Sequence, residues 1–90
     1  MFKHGDPEEI RYFAKLLRVF SHETRDQLHG LRSHLREMAN TSWRDNNQRV
    51  YEQDFEETAE FLFRSLEEFA SEQSVKLERL ATQYDDVEYG

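Results

Sequence analysis

The sequence has 90 residues, with 12 Lys and Arg against 19 Asp and Glu, and a formal net charge of -7. A chain of this length forms one small domain, 1–90, with a limited core. Because cysteine is absent, disulfides and thiolate metal sites are excluded. Aromatic residues make up 13% of the chain, which is more than disordered segments contain, so we expect a folded protein.

The charge is unevenly distributed. Residues 1–40 hold seven Lys and Arg against six Asp and Glu, whereas residues 41–90 hold five against thirteen. Phosphate contacts need a basic surface, so this distribution disfavours a nucleic-acid partner. The first five residues lack the apolar core of a signal peptide, and no apolar run approaches the roughly 18 residues of a membrane span. We therefore expect no membrane span, and either a cytoplasmic location or export without a cleaved signal peptide.

The first predicted helix covers residues of about 7–39. Asp6 can cap its free amides, Pro7 suits the first helical position, and Glu9 suits the acidic position of a capping box. Steps of three and four between the apolar residues that follow predict one buried stripe. The stripe consists of Ile10, Phe13, Leu17, Phe20, Leu28, Leu31, Leu35 and Met38, with Ala14 and Ser21 beside it.

A turn over about 40–43 separates this helix from a second one over about 44–85. Ser42 and Asp45 have the spacing of a capping box, with Ser42 as the cap. Two long helices joined by a short turn lie antiparallel, so the predicted fold is an all-α helical hairpin. The second stripe consists of Tyr51, Phe55, Ala59, Leu62, Leu66, Phe69, Leu77, Leu80 and Tyr84.

The apolar face of the second helix is wider than one neighbouring helix can cover. Phe61 and Phe63 flank Leu62 on opposite sides, and an exposed Phe forgoes about 1.5–3 kcal/mol of burial. We therefore expect two hairpins to dimerise into a four-helix bundle. A homodimer is the first expectation, and a heterodimer with a related hairpin is the alternative. The predicted dimer interface consists of Phe61, Phe63, Leu66 and Phe69.

Two short motifs accompany this architecture: Trp43-Arg44-Asp45 in the turn and Tyr84-Asp85-Asp86-Val87-Glu88 near the C-terminus. With them the chain resembles the WXG (Trp-Xaa-Gly) family of helical-hairpin proteins linked to type VII secretion. It does so as a Trp-Xaa-Asp variant, since Asp45 stands where the family has Gly. The resemblance implies an export signal at Tyr84 and Glu88, homo- or heterodimeric bundles, and a role as secreted substrate, escort or adaptor.

Trp43 has two interpretations. As a structural residue it closes the neck between the end of the first helix, near Leu35 and Met38, and the second helix near Tyr51. The alternative is a docking residue exposed to a partner.

A basic stripe follows the first helix at steps of four and three. It is either a solvated face with local ion pairs or a docking surface for an acidic protein. The second interpretation makes the chain an intracellular antidote- or chaperone-like adaptor. The stripe includes His22 and His29, and its predicted partner-binding residues are Arg11, Lys15, Arg18, Arg25, Arg32 and Arg36.

We find no motif in the sequence that predicts catalysis, phosphate binding or metal binding. Asp26 and His29 have the spacing of a di-iron ligand pair, but we expect both to point outward, without the inward carboxylates such a site needs. Neither a nucleophile motif nor a Gly-rich phosphate loop occurs. The sequence predicts a non-catalytic binding and assembly protein with no cofactor and no metal.

Overall fold

The computed structural model describes residues 5–89, with side chains up to Asp86. The described chain forms two α-helices, α1 (Pro7–Thr41) and α2 (Asn46–Tyr89). The two helices pack against each other, so the predicted helical hairpin is confirmed. Each helix ends later than the sequence indicates, and α2 begins two residues after its predicted start.

The helix starts follow from short side chains that accept backbone hydrogen bonds. At α1, the Glu8 N–H donates to Asp6 Oδ1 at 3.0 Å, as the sequence predicts. At α2, the Gln48 N–H donates to Asp45 Oδ1 at 3.0 Å. The predicted cap at Ser42 is therefore wrong. Ser42 instead extends the end of α1, because its N–H donates to the Met38 carbonyl at 3.0 Å.

The chain divides into two compact units. Unit 1 comprises Met1–Ser21 and Glu67–Gly90, and unit 2 comprises His22–Leu66. Each unit contains a segment of α1 and a segment of α2. In each, the two segments run antiparallel, because later residues of α1 pair with earlier residues of α2. In unit 1, Gly5 lies beside Tyr84 and Arg11 binds Glu78. In unit 2, Arg32 binds Glu56 and Gln48 donates to the Leu35 carbonyl.

Small residues occupy most of the buried positions. The buried residues of unit 1 include Ala14, Ala70 and Ala81, and those of unit 2 include Leu35 and Ala59. Small side chains let two helix backbones approach closely, but they remove little apolar surface from water.

The predicted stripe of α1 is correct in period, and its member Leu35 is buried, but three of its large residues are exposed. Phe13 and Phe20 are 53% and 55% exposed, whereas the neighbouring Ala14 and Ser21 are buried. Leu31, placed in the same stripe, is 58% exposed. Close approach of α2 along the line of small residues leaves the larger side chains beside the contact rather than in it.

Candidate functional site

An ion-paired cluster lies between the helices of unit 1. Arg11 Nη2 donates to Asp85 Oδ2 at 2.7 Å, and Arg11 Nε donates to Glu78 Oε1 at 3.3 Å. The hydrogen bond to Asp85 is the main cause that raises the pKa of Arg11 above its ordinary value. One guanidinium thus joins two carboxylates that lie two turns apart on the same face of α2.

Unit 2 contains a matching cluster. Arg32 Nε and Arg36 Nη2 donate to Glu56 Oε1 at 2.8 and 3.0 Å. The hydrogen bond from Arg32 is the main cause that lowers the pKa of Glu56, and the same bond raises the pKa of Arg32. Arg11, Arg32 and Arg36 of the basic stripe thus form ion pairs with carboxylates of α2. These ion pairs hold the two helices together.

The other members of the basic stripe have different surroundings. Within the described residues, Lys15, Arg18 and Arg25 contact no carboxylate. The Arg25 guanidinium lies over the Phe63 ring, 6.0 Å from its centroid. Of the predicted partner-binding residues, Lys15 and Arg18 are thus the ones still exposed and without an ion pair in this part of the chain.

Phe63 is covered by α1. The His29 ring stacks on it with centroids 4.8 Å apart and planes at 28°. The expectation that His29 points away from α2 is therefore wrong. Asp26, which has the i, i+3 spacing to His29, lies 3.9 Å from His22. Across residues 5–86, no group of three or more His, Asp or Glu side chains is arranged to hold a metal ion.

The four residues predicted for a dimer interface differ in exposure. Phe61 is 66% exposed and Phe69 is 48% exposed, whereas Phe63 and Leu66 are half-buried. Phe61 lies two residues from the buried Ala59, about 200° around α2, so it faces away from α1.

An apolar flank runs along unit 1 on the side opposite the ion pairs. Phe13 lies two residues beyond Arg11, and Leu80 two residues beyond Glu78, a rotation of about 200° in each helix. Since Arg11 and Glu78 bind each other on one flank, Phe13 and Leu80 belong to the other. We call this surface the apolar flank, and its exposed residues are Phe13, Leu16, Phe20, Phe69 and Leu80.

Unit 2 has a smaller surface of the same kind. Leu31 of α1 and Leu62 of α2 are both exposed. Leu31 lies about 100° around its helix from Arg32, and Leu62 about 120° around its helix from Glu56, away from the ion pair that these two residues form. Tyr51, also exposed, follows the same stripe of α2 one helical repeat of eleven residues before Leu62.

The turn carries an aromatic cluster. The Trp43 and Tyr51 rings lie 6.0 Å apart at 32°, and the Tyr51 and Phe55 rings 6.4 Å apart at 47°. Trp43 is half-buried, so its contact with Tyr51 agrees with the predicted neck, although part of the indole stays exposed. Asp45 caps α2 and no described residue has positive φ, so this turn does not need the Gly of the Trp-Xaa-Gly pattern.

Tyr84 of the predicted export signal lies against the start of the described chain. A Cβ added at Gly5 would meet Tyr84 Cε2 at 2.5 Å. The side chain of Glu88, the other half of the signal, lies outside the described residues, although its backbone belongs to α2.

Sequence reasoning missed Gln48, which has the largest fully buried side chain among the described residues. Its Nε2 donates to the Leu35 carbonyl at 3.2 Å and to Glu52 Oε1 at 2.9 Å. Extending the α2 stripe back from Tyr51 and Phe55 by one turn reaches residue 48, and this extension is the signal that could have revealed it.

Comparison with family models, with curated proteins and with solved structures finds no match to this chain. No helix in the described part is long and apolar enough to span a membrane.

Proposed function

We propose that this chain is a non-catalytic assembly protein whose hairpin associates with a second copy through the apolar flank. The observation that supports it is the exposure of Phe13, Phe20 and Phe69 on one side of unit 1. Large apolar side chains clustered on one surface are typical of a protein–protein contact. The opposite flank contains the ion pairs of Arg11 within the chain, so the apolar flank is the surface better suited to a bundle.

The exposed area supports the same proposal. The accessible surface is 7144 Å², against roughly 5,600 Å² for a compact monomer of 10.9 kDa. The excess is roughly 1,500 Å² per chain, and a stable interface covers about 800 Å² or more on each partner. A dimer contact of this size would cover about half of that excess.

The finer role that we propose comes from the resemblance to the WXG family. Trp43 in the turn and the Tyr84–Glu88 spacing support a secreted substrate, escort or adaptor linked to type VII secretion. Glu88→Ala tests the export signal, because it removes one of the two motif residues. In a host that carries such a system, the variant should dimerise normally and fail to leave the cell. Export at the wild-type level would contradict the proposed signal.

Light scattering after size exclusion tests the assembly. At micromolar concentration the wild type should have about twice the mass of the 10.9 kDa chain. Phe69→Glu and Phe20→Glu should shift the mass towards that of a monomer, because a carboxylate cannot be buried unpaired. Phe61→Glu is the matched control, since Phe61 is more exposed and faces away from α1.

Three results would count against this proposal. A wild type that is monomeric and well folded at these concentrations would remove the dimer. Dissociation by Phe61→Glu but not by Phe69→Glu would move the contact to the outer side of α2. Equal amounts of this chain and a related hairpin in one purified complex would replace the homodimer with a heterodimer.

A further inference from the structure

A groove in unit 1 lies on the flank opposite the apolar one. Its volume is about 520 Å³, and it is formed by Arg18 of α1 and by residues of α2 that include Ser74, Glu78, Arg79 and Thr82. Sites for small ligands and short peptide segments have volumes in this range. Since the apolar flank faces the other way, the groove would stay open in the proposed dimer.

The groove has two guanidinium groups that are available to a ligand. Arg18 and Arg79 are both exposed and form no ion pair within the described residues. The third charged residue, Glu78, accepts a hydrogen bond from Arg11 at 3.3 Å, so its charge is partly compensated. The local balance inside the groove is therefore positive, although the whole chain carries a net charge of -7.

Ser74 supplies a further polar group. It is only 6% exposed, and its hydroxyl has no hydrogen-bond partner in the described part of the chain. Buried hydroxyls are nearly always paired, so a serine of this kind points to a missing partner. Ser74 lines the groove, and a serine hydroxyl is free to rotate and donate to an acceptor that enters there.

We infer that this groove binds a carboxylate side chain from an acidic segment of a partner protein. Guanidinium groups bind carboxylates through paired, charge-assisted hydrogen bonds, and the serine hydroxyl would donate a third bond. The groove also contains Glu78, so it suits a short acidic segment that places one carboxylate in it and ends nearby. A nucleic acid would bring a row of phosphates towards the acidic surface of α2, which is unfavourable.

The test uses the full chain labelled with ¹⁵N and an acetylated tetraglutamate amide as the probe. The peptide should shift amide resonances around Arg18, Ser74 and Arg79, whereas a tetraglutamine peptide should not. The double variant Arg18→Gln, Arg79→Gln should weaken the tetraglutamate affinity by roughly tenfold or more, the usual effect of losing charge-assisted bonds. Arg64→Gln, an exposed arginine in unit 2, is the matched control and should leave the affinity unchanged.

Ser74→Ala tests whether the Ser74 hydroxyl contributes to ligand binding. If the hydroxyl serves the ligand, the variant should bind tetraglutamate several-fold more weakly while its melting temperature stays the same or rises. Unchanged affinity in this variant, or in the double arginine variant, would overturn the inference. Loss of the dimer in the double arginine variant would also overturn it, since the groove would then belong to self-assembly. The proposed dimer contact lies on the apolar flank and not in the groove. The light-scattering test of dimerisation is therefore independent of whether tetraglutamate binds.

Discussion

The side chain of Gln48 donates a hydrogen bond to the backbone carbonyl of Leu35 at 3.2 Å, and both residues are buried. The same amide nitrogen donates to Glu52 Oε1 at 2.9 Å. Gln48 also provides the backbone N–H that the Asp45 cap accepts at 3.0 Å. Gln48 thus joins the start of α2 to the last turns of α1 through hydrogen bonds, and these bonds stabilise the turn between the helices.

Gln48→Glu should destabilise the hairpin by roughly 2–4 kcal/mol, because it places an acceptor-only group against the Leu35 carbonyl and the Glu52 carboxylate. Gln53→Glu makes the same change at an exposed position of the same helix, and should cost under roughly 0.5 kcal/mol. Urea unfolding followed by circular dichroism measures both. Equal stability of the two variants would mean that the buried amide does not fasten the turn.

Trp43→Ala should cost roughly 2 kcal/mol, less than the 3–5 kcal/mol typical of a fully buried Trp. The indole keeps its contact with Tyr51 at 6.0 Å between centroids, but it is only half-buried. Native Trp emission should accordingly lie between that of a buried and a free indole, and should move to longer wavelength on unfolding. A neutral effect on melting temperature would instead favour the docking interpretation of Trp43.

Acid should weaken the ion pairs of unit 2. Arg32 lowers the pKa of Glu56 from its ordinary 4.5, so the folded chain holds this carboxylate ionised more strongly than the unfolded chain does. The stabilisation is therefore fully present above the unfolded value and is lost as the pH falls through the lowered folded value.

Glu56→Gln should lower the melting temperature at pH 7, and its difference from the wild type should shrink as the pH approaches about 3. Glu57→Gln, at the exposed neighbouring position without an ion pair in the described chain, is the matched control and should melt close to the wild type at pH 7. Thermal melts across this pH range make the comparison. A Glu56→Gln difference that stays constant with pH would show that the carboxylate contributes through packing alone.

The hairpin could be predicted from the sequence because helical period and caps are local properties. Steps of three and four identify both helices, and the Asp6-Pro7 start is the one that the structure shows. The cap of α2 could not be chosen in the same way. Both Ser42 and Asp45 can cap a helix, and the choice depends on where α1 ends, which the two hydrogen bonds to the Met38 carbonyl determine.

The buried face could be placed only in part, at residues such as Leu35 and Ala59, because hydrophobicity and burial diverge elsewhere in this chain. The large residues Phe13 and Phe20 have the stronger apolar signal, but the helices meet along Ala14 and Ser21. Large apolar residues that flank a close helix contact have the same sequence pattern as core residues. The packing of the two helices is needed to tell which stripe of α1 is buried. The contact of Phe63 could not be predicted for the same reason. The ring that stacks on it belongs to His29, a polar residue that the sequence pattern assigns to the solvent-exposed face.

Gly5→Ala should displace the ring of Tyr84, because the added Cβ would lie 2.5 Å from its Cε2 and ordinary contacts are longer. If Tyr84 serves mainly to cover the start of α1, the variant should unfold at a lower temperature and lose protection from amide exchange in its first turn. If the export signal needs only the Tyr84 ring and not its position, the Gly5→Ala variant should be secreted at the wild-type level. Tyr84→Phe is the control, since it keeps the ring and removes only the hydroxyl. A variant that melts like the wild type but is not exported would show that the signal needs the ring against Gly5.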